Sequence, residues 1–238
     1  MTPKALTALI DATWPATRFS TVGPWTIREG AGGGSRVSAA TARDVAADAE
    51  IETAEAAMRA LGQTPLFMLR EDEEPLDRAL EARGYQVKDP VTLYTTPAGA
   101  LAVQPPPVTC FEVWPPVASQ LEIWAKGGIG PERIAIMDRV KGPKTTLLGR
   151  LDDTPAGTLF VALHDDVAMV HAVEIAPAFR RRGLGRFMMQ GAATWARDNN
   201  AQTLAVLVTK ANTGANALYS SLGMSAAAGY HYRIHPEA

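Results

Sequence analysis

The run from Ile175 to Met189, Ile-Ala-Pro-Ala-Phe-Arg-Arg-Arg-Gly-Leu-Gly-Arg-Phe-Met-Met, joins an apolar segment to a helical one through three arginines and a Gly-x-Gly turn. A strand that feeds Gly183-Leu-Gly185 and then a helix aims several free backbone N–H groups at one point, where the helix dipole also favours negative charge. Such a point suits a phosphate. Glycine suits the turn because a Cβ would hold the anion away from the amides or forbid the dihedrals. Arg180, Arg181, Arg182 and Arg186 add charge for a ligand with more than one phosphate. By itself the turn has two readings, an anion cradle or a plain helix start with solvated arginines. No Lys-Ser or Lys-Thr follows it, which excludes a P-loop, and Met188 stands where a dinucleotide fingerprint needs its third glycine.

The neighbouring periodicities place this turn in a mixed α and β domain. Strands are expected at Thr145–Leu151, Gly157–Leu163 and Val167–Ile175, joined by Asp152-Asp153 and Asp165-Asp166 turns as an antiparallel meander. After the turn, Leu184, Phe187, Met188, Ala192 and Trp195 recur at helical steps. Thr203–Val208 is a continuous apolar run, as for a strand covered on both faces. A short helix through Ala217 and Leu218 and a last strand over Tyr230–Ile234 complete this half, and helices are expected over 118–125 and 131–140.

A chain of 238 residues is long enough for one large domain or two small ones. The proline-rich stretch 99–107 reads as a semi-rigid linker between residues 1–98 and 108–238. In the first part, strands are expected at Trp25–Arg28 and Arg36–Ser38 around a Gly30–Gly34 turn, and at Leu66–Leu69. Helices are expected through Ala54, Met58 and Leu61 and over Leu76–Arg83. The stretches Ala79–Tyr85 and Leu218–Met224 place a helix end and a glycine at the same offset, a hint that the N-terminal part is a worn copy of the C-terminal one.

Bulk properties exclude several functions. A formal net charge of −2 gives no cationic field for nucleic acid or an anionic membrane, and no apolar stretch approaches the length of a membrane helix. The single Cys110 excludes an internal disulfide and a cysteine-rich zinc site, and cytoplasm is the expected compartment. His231 and His235 lie four apart, but strand alternation and Pro236 argue against a metal pair, and no metal is expected. Trp14, Trp25, Trp114 and Trp124 read as packing anchors.

Arg180-Arg-Arg-Gly183-Leu-Gly185, preceded by Ile175-Ala-Pro177, resembles the acetyl-CoA motif of the GCN5-related N-acetyltransferase (GNAT) superfamily. Asn212, Ala215, Leu218, Tyr219, Leu222 and Gly223 resemble a second motif of that family, with Met224 in place of its usual phenylalanine. The resemblance is firm over 145–234, loose over 108–144, and reaches the N-terminal third only as a degenerate copy.

It implies an α+β GNAT fold with a mostly antiparallel sheet, splayed parallel central strands and flanking helices, in two copies. It also implies acetyl-CoA as co-substrate and acetyl transfer to a primary amine in a ternary complex. Carried over residue by residue, Val173 and Ile175 present backbone groups to the pantetheine. Arg180, Arg181, Arg182, Gly183, Leu184, Gly185 and Arg186 hold the phosphates, and Asn212 and Asn216 contact the coenzyme. Tyr219 is the general acid for the departing thiolate. The base is His171, Glu174 or a water chain; alternation puts Glu174 on the opposite face from His171 unless a bulge intervenes. The acceptor is a small amine or a peptide, and the assembly a homodimer or a monomer with an internal pseudo-dimer. The alternative is a non-catalytic acyl-CoA-binding or regulatory module of the same fold.

Overall fold

The computed structural model describes residues 1–43 and 48–236. The chain divides into two compact units, one of residues 1–92, 209–211 and 228–238, the other of residues 93–208 and 212–227. The sequence-based boundary at 99–107 thus differs from the observed one, which precedes it and returns the C-terminal residues to the first unit.

In the first unit, helix α1 (Pro3–Thr13) starts on Thr2, whose hydroxyl accepts the Ala5 N–H, and buries Leu6, Leu9 and Ile10. Strands β1 (Arg18–Val22), β2 (Trp25–Glu29) and β3 (Thr41–Ala42) form a small antiparallel sheet. The expected strand at Arg36–Ser38 is instead a single helical turn, α2 (Ser35–Ser38). The glycine run explains this: Gly34 takes a φ of 95°, and the Ser38 hydroxyl donates back to the Gly34 carbonyl. Local closure overrides the strand preference of valine.

Helix α3 (Asp48–Ala60), strand β4 (Leu66–Arg70) and helix α4 (Glu74–Ala82) match expectation. Strand β5 (Gln86–Pro97) is not legible in the sequence, because Pro90 sits inside it and Asp89 takes a φ of 45°. Ile51, Ala54, Met58, Phe67 and Tyr85 share one core, in which Trp25 and Phe67 pack edge to face at 5.1 Å. The buried Arg28 uses four of its five N–H donors: Nε and Nη2 donate to the Asp11 carboxylate at 2.8 and 2.7 Å, and Nη1 to the Ala39 carbonyl and Thr41 hydroxyl.

The second unit opens on the end of β5, and a helical turn, α5 (Ala98–Leu101), then runs into the expected linker with Ala98 and Leu101 buried in the core. Strand β6 (Cys110–Val113), helices α6 (Ala118–Lys126) and α7 (Pro131–Arg139), and strands β7 (Lys144–Leu151), β8 (Thr154–His164) and β9 (Val167–Ile175) follow. A 3-10 turn (Pro177–Phe179) leads into α8 (Leu184–Asp198), β10 (Thr203–Thr209), α9 (Thr213–Ser221) and β11 (Ser225–Ile234). The strand order β5-β10-β9-β8-β7-β6 is antiparallel from β6 to β9 and parallel between β9 and β10, so the sheet is mixed.

Alternation along the strands sends Leu147, Leu159, Val161 and Val170 into a core with Met188, Met189 and Ala192 of α8. The other face receives α6. There the buried Gln120 donates to the Thr146 and Thr158 hydroxyls at 2.9 and 3.2 Å and accepts the Val117 N–H, pinning the start of α6 to β7 and β8. Trp124 is fully buried, whereas Trp114, expected as a packing anchor, is exposed with Lys144 Nζ 4.6 Å from its ring centre.

The last strand lies antiparallel to β4, Tyr230 to Ile234 against Arg70 to Leu66. Its His231 meets the Asp77 carboxylate at 2.9 Å and Arg233 donates to the same oxygen at 2.7 Å, an ion-pair cluster. Among the described residues no group of three or more metal-ligating side chains occurs.

Candidate active site

The parallel pairing of β9 with β10 covers Val167–Val170 against Thr203–Val206 and then stops, although β9 runs on to Ile175 and β10 to Thr209. The strands splay from that point. On its other edge β9 carries a bulge: Phe160 pairs with His171 and Thr158 with Glu174, so Leu159 alone spans Ala172 and Val173. Ala172 takes a φ of 51°, and its carbonyl accepts the Trp124 indole N–H at 2.8 Å. The extra residue resets the alternation. His171 and Glu174 thereby share the α6 face, while Val173 and Ile175 pack toward the α8 core.

His171 is buried, its ring 6.2 Å from that of Phe160. Glu174 is half-buried and accepts from Arg180 Nη2 at 2.9 Å. It borders a cavity of about 400 Å³ whose wall includes Ser119, Glu122, Ile123, Lys126, Gly127 and Phe179.

Beyond β9 the turn behaves as an amide cradle. Arg181 takes a φ of 63° and Gly183, at the N-cap of α8, a φ of 86°, with no side chain capping the first-turn N–H groups. Gly183 is therefore needed for its dihedral. Gly185 has a different reason: a Cβ there would lie 3.0 Å from Leu218 Cδ2, so its bareness lets α8 and α9 approach.

The four arginines separate by partner. Arg180 donates from Nε to the Ile175 carbonyl and from Nη2 to Glu174, Arg182 pairs with Asp152 at 2.7 Å, and Arg186 donates to the Ser221 carbonyl and hydroxyl. Arg181 is exposed and has no side-chain partner among the described residues. Leu184 is buried, so only its backbone can face an anion.

Asn212 caps α9, its Oδ1 accepting the Ala215 N–H at 3.1 Å, and Asn216 Nδ2 donates to the Asn212 carbonyl at 2.7 Å. Tyr219 projects from α9 into the core that holds Val170 and Val206, 5.8 Å from the ring of Tyr94. Its hydroxyl has no hydrogen-bond partner among the described residues. Burial raises the phenol pKa, so the group holds its proton. Cys110 is likewise pushed up by burial, to about 12, and stays a thiol.

Sequence reasoning missed the roles of Gly127 and Gln120 in this region and read Trp124 as a packing anchor without its bond to the bulge. Trp124 fixes the bulge, Gly127 makes room for Glu174, and Gln120 anchors α6. The Gly127-Gly128 pair was visible, but nothing local tells that Glu174, far along the chain, packs on the first glycine.

Residues 109–224 match the family model described as "Acetyltransferase (GNAT) family". Among known proteins, the chain is similar to an uncharacterized N-acetyltransferase, YobR, of Bacillus subtilis (strain 168), 27% identical over 95% of this chain and 96% of that one. Among solved structures it is similar in fold to a GCN5-related N-acetyltransferase from Kribbella flavida, with a TM-score of 0.71, 22% identity, and coverage of 98% of this chain and 95% of that chain. It is also similar to a tandem GNAT protein from the clavulanic acid biosynthesis pathway, with a TM-score of 0.60, 15% identity, and coverage of 82% and 74%. The splayed strands, the glycine turn and these matches agree: residues 109–224, just under half of the chain, are similar to the acetyltransferase (GNAT) family.

Proposed function

We propose that the protein transfers an acetyl group from acetyl-CoA to a small primary amine in a ternary complex. The observation that carries this reading is the end of β9/β10 pairing at Val170 and Val206, in the same core as a protonated tyrosine whose hydroxyl has no protein partner. The residue is buried, but the hydroxyl itself is not sealed from solvent, so it is open to a ligand.

In this reading the amides of residues 181–186 and the Arg181 side chain receive the diphosphate of the co-substrate, and Asn212 and Asn216 stand beside it. Backbone groups of Val173 and Ile175 line the pantetheine, and an N–H of the splayed β9 edge polarises the thioester carbonyl as charge develops on its oxygen. The amine nitrogen bonds to the carbonyl carbon and its proton passes toward Glu174, which borders the cavity, whereas His171 is buried and does not line it. The carbon–sulfur bond breaks and Tyr219 gives its proton to the departing thiolate. The first unit is, in the same reading, a copy of this fold that has lost the chemistry.

The test is calorimetry with coenzyme A followed by a panel of amines and peptides under acetyl-CoA, reading released thiol. Saturable binding and thiol release with at least one primary amine are expected. Binding without transfer to any acceptor would favour a non-catalytic acyl-CoA-binding module, and no binding at millimolar coenzyme A would end both readings.

A further inference from the structure

We infer that Arg180 and Gly127 are positioning residues for Glu174, and that the Arg180 side chain is not a ligand of the diphosphate, although it opens the arginine-glycine turn. This rests on the acetyl-transfer reading above. The Arg180 guanidinium is committed on two sides, Nε to the Ile175 carbonyl and Nη2 to Glu174 Oε1, both at 2.9 Å. That fork grips the end of β9 and the carboxylate together, a geometry that lysine or glutamine cannot reproduce.

From the other side, a Cβ on Gly127 would stand 2.7 Å from the Glu174 carboxyl carbon and Oε2. Gly127 has a φ of −85°, open to any residue, so it is bare for the sake of that approach. Gly127 also ends α6, where the helix dipole is negative, so the carboxylate sits at a point that disfavours it. Arg180 supplies the compensating charge. The bulge at Ala172 delivers Glu174 to this corner, and the cavity opens beside it.

Two variants of the full chain approach Glu174 from opposite sides: Arg180→Gln removes the grip, and Gly127→Ala pushes the carboxylate away with no change of charge. Calorimetry with coenzyme A should give both a Kd within about threefold of wild type, whereas Arg181→Gln should lose about fivefold or more. With the amine that wild type acetylates, both should lose about tenfold or more in kcat with the KM for acetyl-CoA unchanged. In crystals of wild type with coenzyme A, the guanidinium should remain on Glu174.

The assignment is overturned if Arg180→Gln loses coenzyme affinity as Arg181→Gln does, if the guanidinium turns to the diphosphate oxygens, or if both variants keep their kcat. Thermal melts check folding; should Arg180→Gln not fold, the crystal complex and Gly127→Ala decide. Wild type that binds no coenzyme A would sink the functional reading itself, an outcome distinct from each of these.

Discussion

The succession helix, strand, helix, strand occurs twice in this chain, as α3-β4-α4-β5 and as α8-β10-α9-β11. The second helix of each has nine residues and ends alike. Gly84 and Gly223 take φ of 85° and 75°, and the residue after each donates back five positions, Tyr85 to the Leu80 carbonyl and Met224 to the Tyr219 carbonyl. The differences lie where the chemistry is read. Tyr219 of the second succession answers to Leu80 of the first. Before α8 stands Arg-Arg-Arg-Gly-Leu-Gly; residues 43–48, before and into α3, read Arg-Asp-Val-Ala-Ala-Asp and contain no glycine. The helix ending thus survives without the phenol, and the glycine turn has no counterpart in the sequence of residues 43–48.

Exchanging the two successions' residues tests that division most sharply at Tyr219. Tyr219→Phe should lower kcat by about 10²–10⁴-fold, the usual range for loss of a general acid, while coenzyme A affinity stays near wild type. Leu80→Ala at the matching position should instead cost about 2–5 kcal/mol of stability, as the loss of a buried leucine does, and leave coenzyme binding in place. Because burial raises the Tyr219 pKa above its ordinary value of about 10, loss of its proton should contribute no fall in rate as pH rises toward that value. A Tyr219→Phe enzyme with normal turnover would erase the distinction between the two successions.

The first unit spends its buried charges on structure. Burial opposes ionisation of Asp77, but the Arg233 and His231 contacts outweigh it, and its pKa is lowered. A lowered carboxylate pKa contributes stability that is present above the unfolded value, about 3.9, and is lost as pH falls through the folded one. Asp77→Ala, which takes the nearest anion from the nearly buried Arg233 and leaves it Glu81 at 3.4 Å and the Tyr85 carbonyl, should cost about 1.5–3 kcal/mol in denaturant titrations at pH 7. Asp77→Asn should flatten the decline in stability below about pH 4. Neither change should alter coenzyme A binding per folded molecule; if either did, the two units would not divide function as described.

Glycines with the same dihedral offer a finer contrast. Gly183 and Gly84 have φ of 86° and 85°, and a Cβ at Gly183 meets nothing nearer than 3.7 Å, so alanine imposes the same left-handed strain at both, about 1–2 kcal/mol. At Gly84 that should appear only in stability. At Gly183 the strain falls on the turn that aims the amides, and coenzyme A affinity should drop about tenfold. Equal affinity in the two variants would remove Gly183 from the binding site.

How much of this was legible in the sequence depends on the range over which each cause acts. The meander, α8 and the turns at Asp152-Asp153 and Asp165-Asp166 were readable because periodicity and turn chemistry are local. The glycine turn and Tyr219 were readable as motif positions. Strand β5 was not, since Pro90 argues locally against a strand that the wider sheet imposes. The helical turn α5 was hidden by the prolines on either side of it, Pro97 and Pro105 to Pro107, although Ala98 and Leu101 are buried in the core with α8. Glu174 was uncertain because a bulge inverts every side chain after it, and the cause of that bulge's fixation, Trp124, lies 48 positions away. The roles of Arg180, Arg182 and Arg186 as ties to Glu174, Asp152 and Ser221 could not be separated by counting charges.

Asn212 gives the smallest effect and the closest discrimination. Its side chain already has a structural task, capping α9 at Ala215, whereas α4 in the first succession starts at Glu73 with no side-chain cap. Removing the cap in Asn212→Ala should cost about 1 kcal/mol. Asn212→Asp keeps a good capping oxygen and the favourable charge at a helix N-terminus, so its melting temperature should match wild type. If Asn212 also faces the phosphates of coenzyme A, the aspartate must repel them, and affinity should fall in Asn212→Asp with stability intact and more steeply at low salt. If affinity holds, the asparagine is a cap alone, and the second succession differs from the first at this helix start only in how well it is closed.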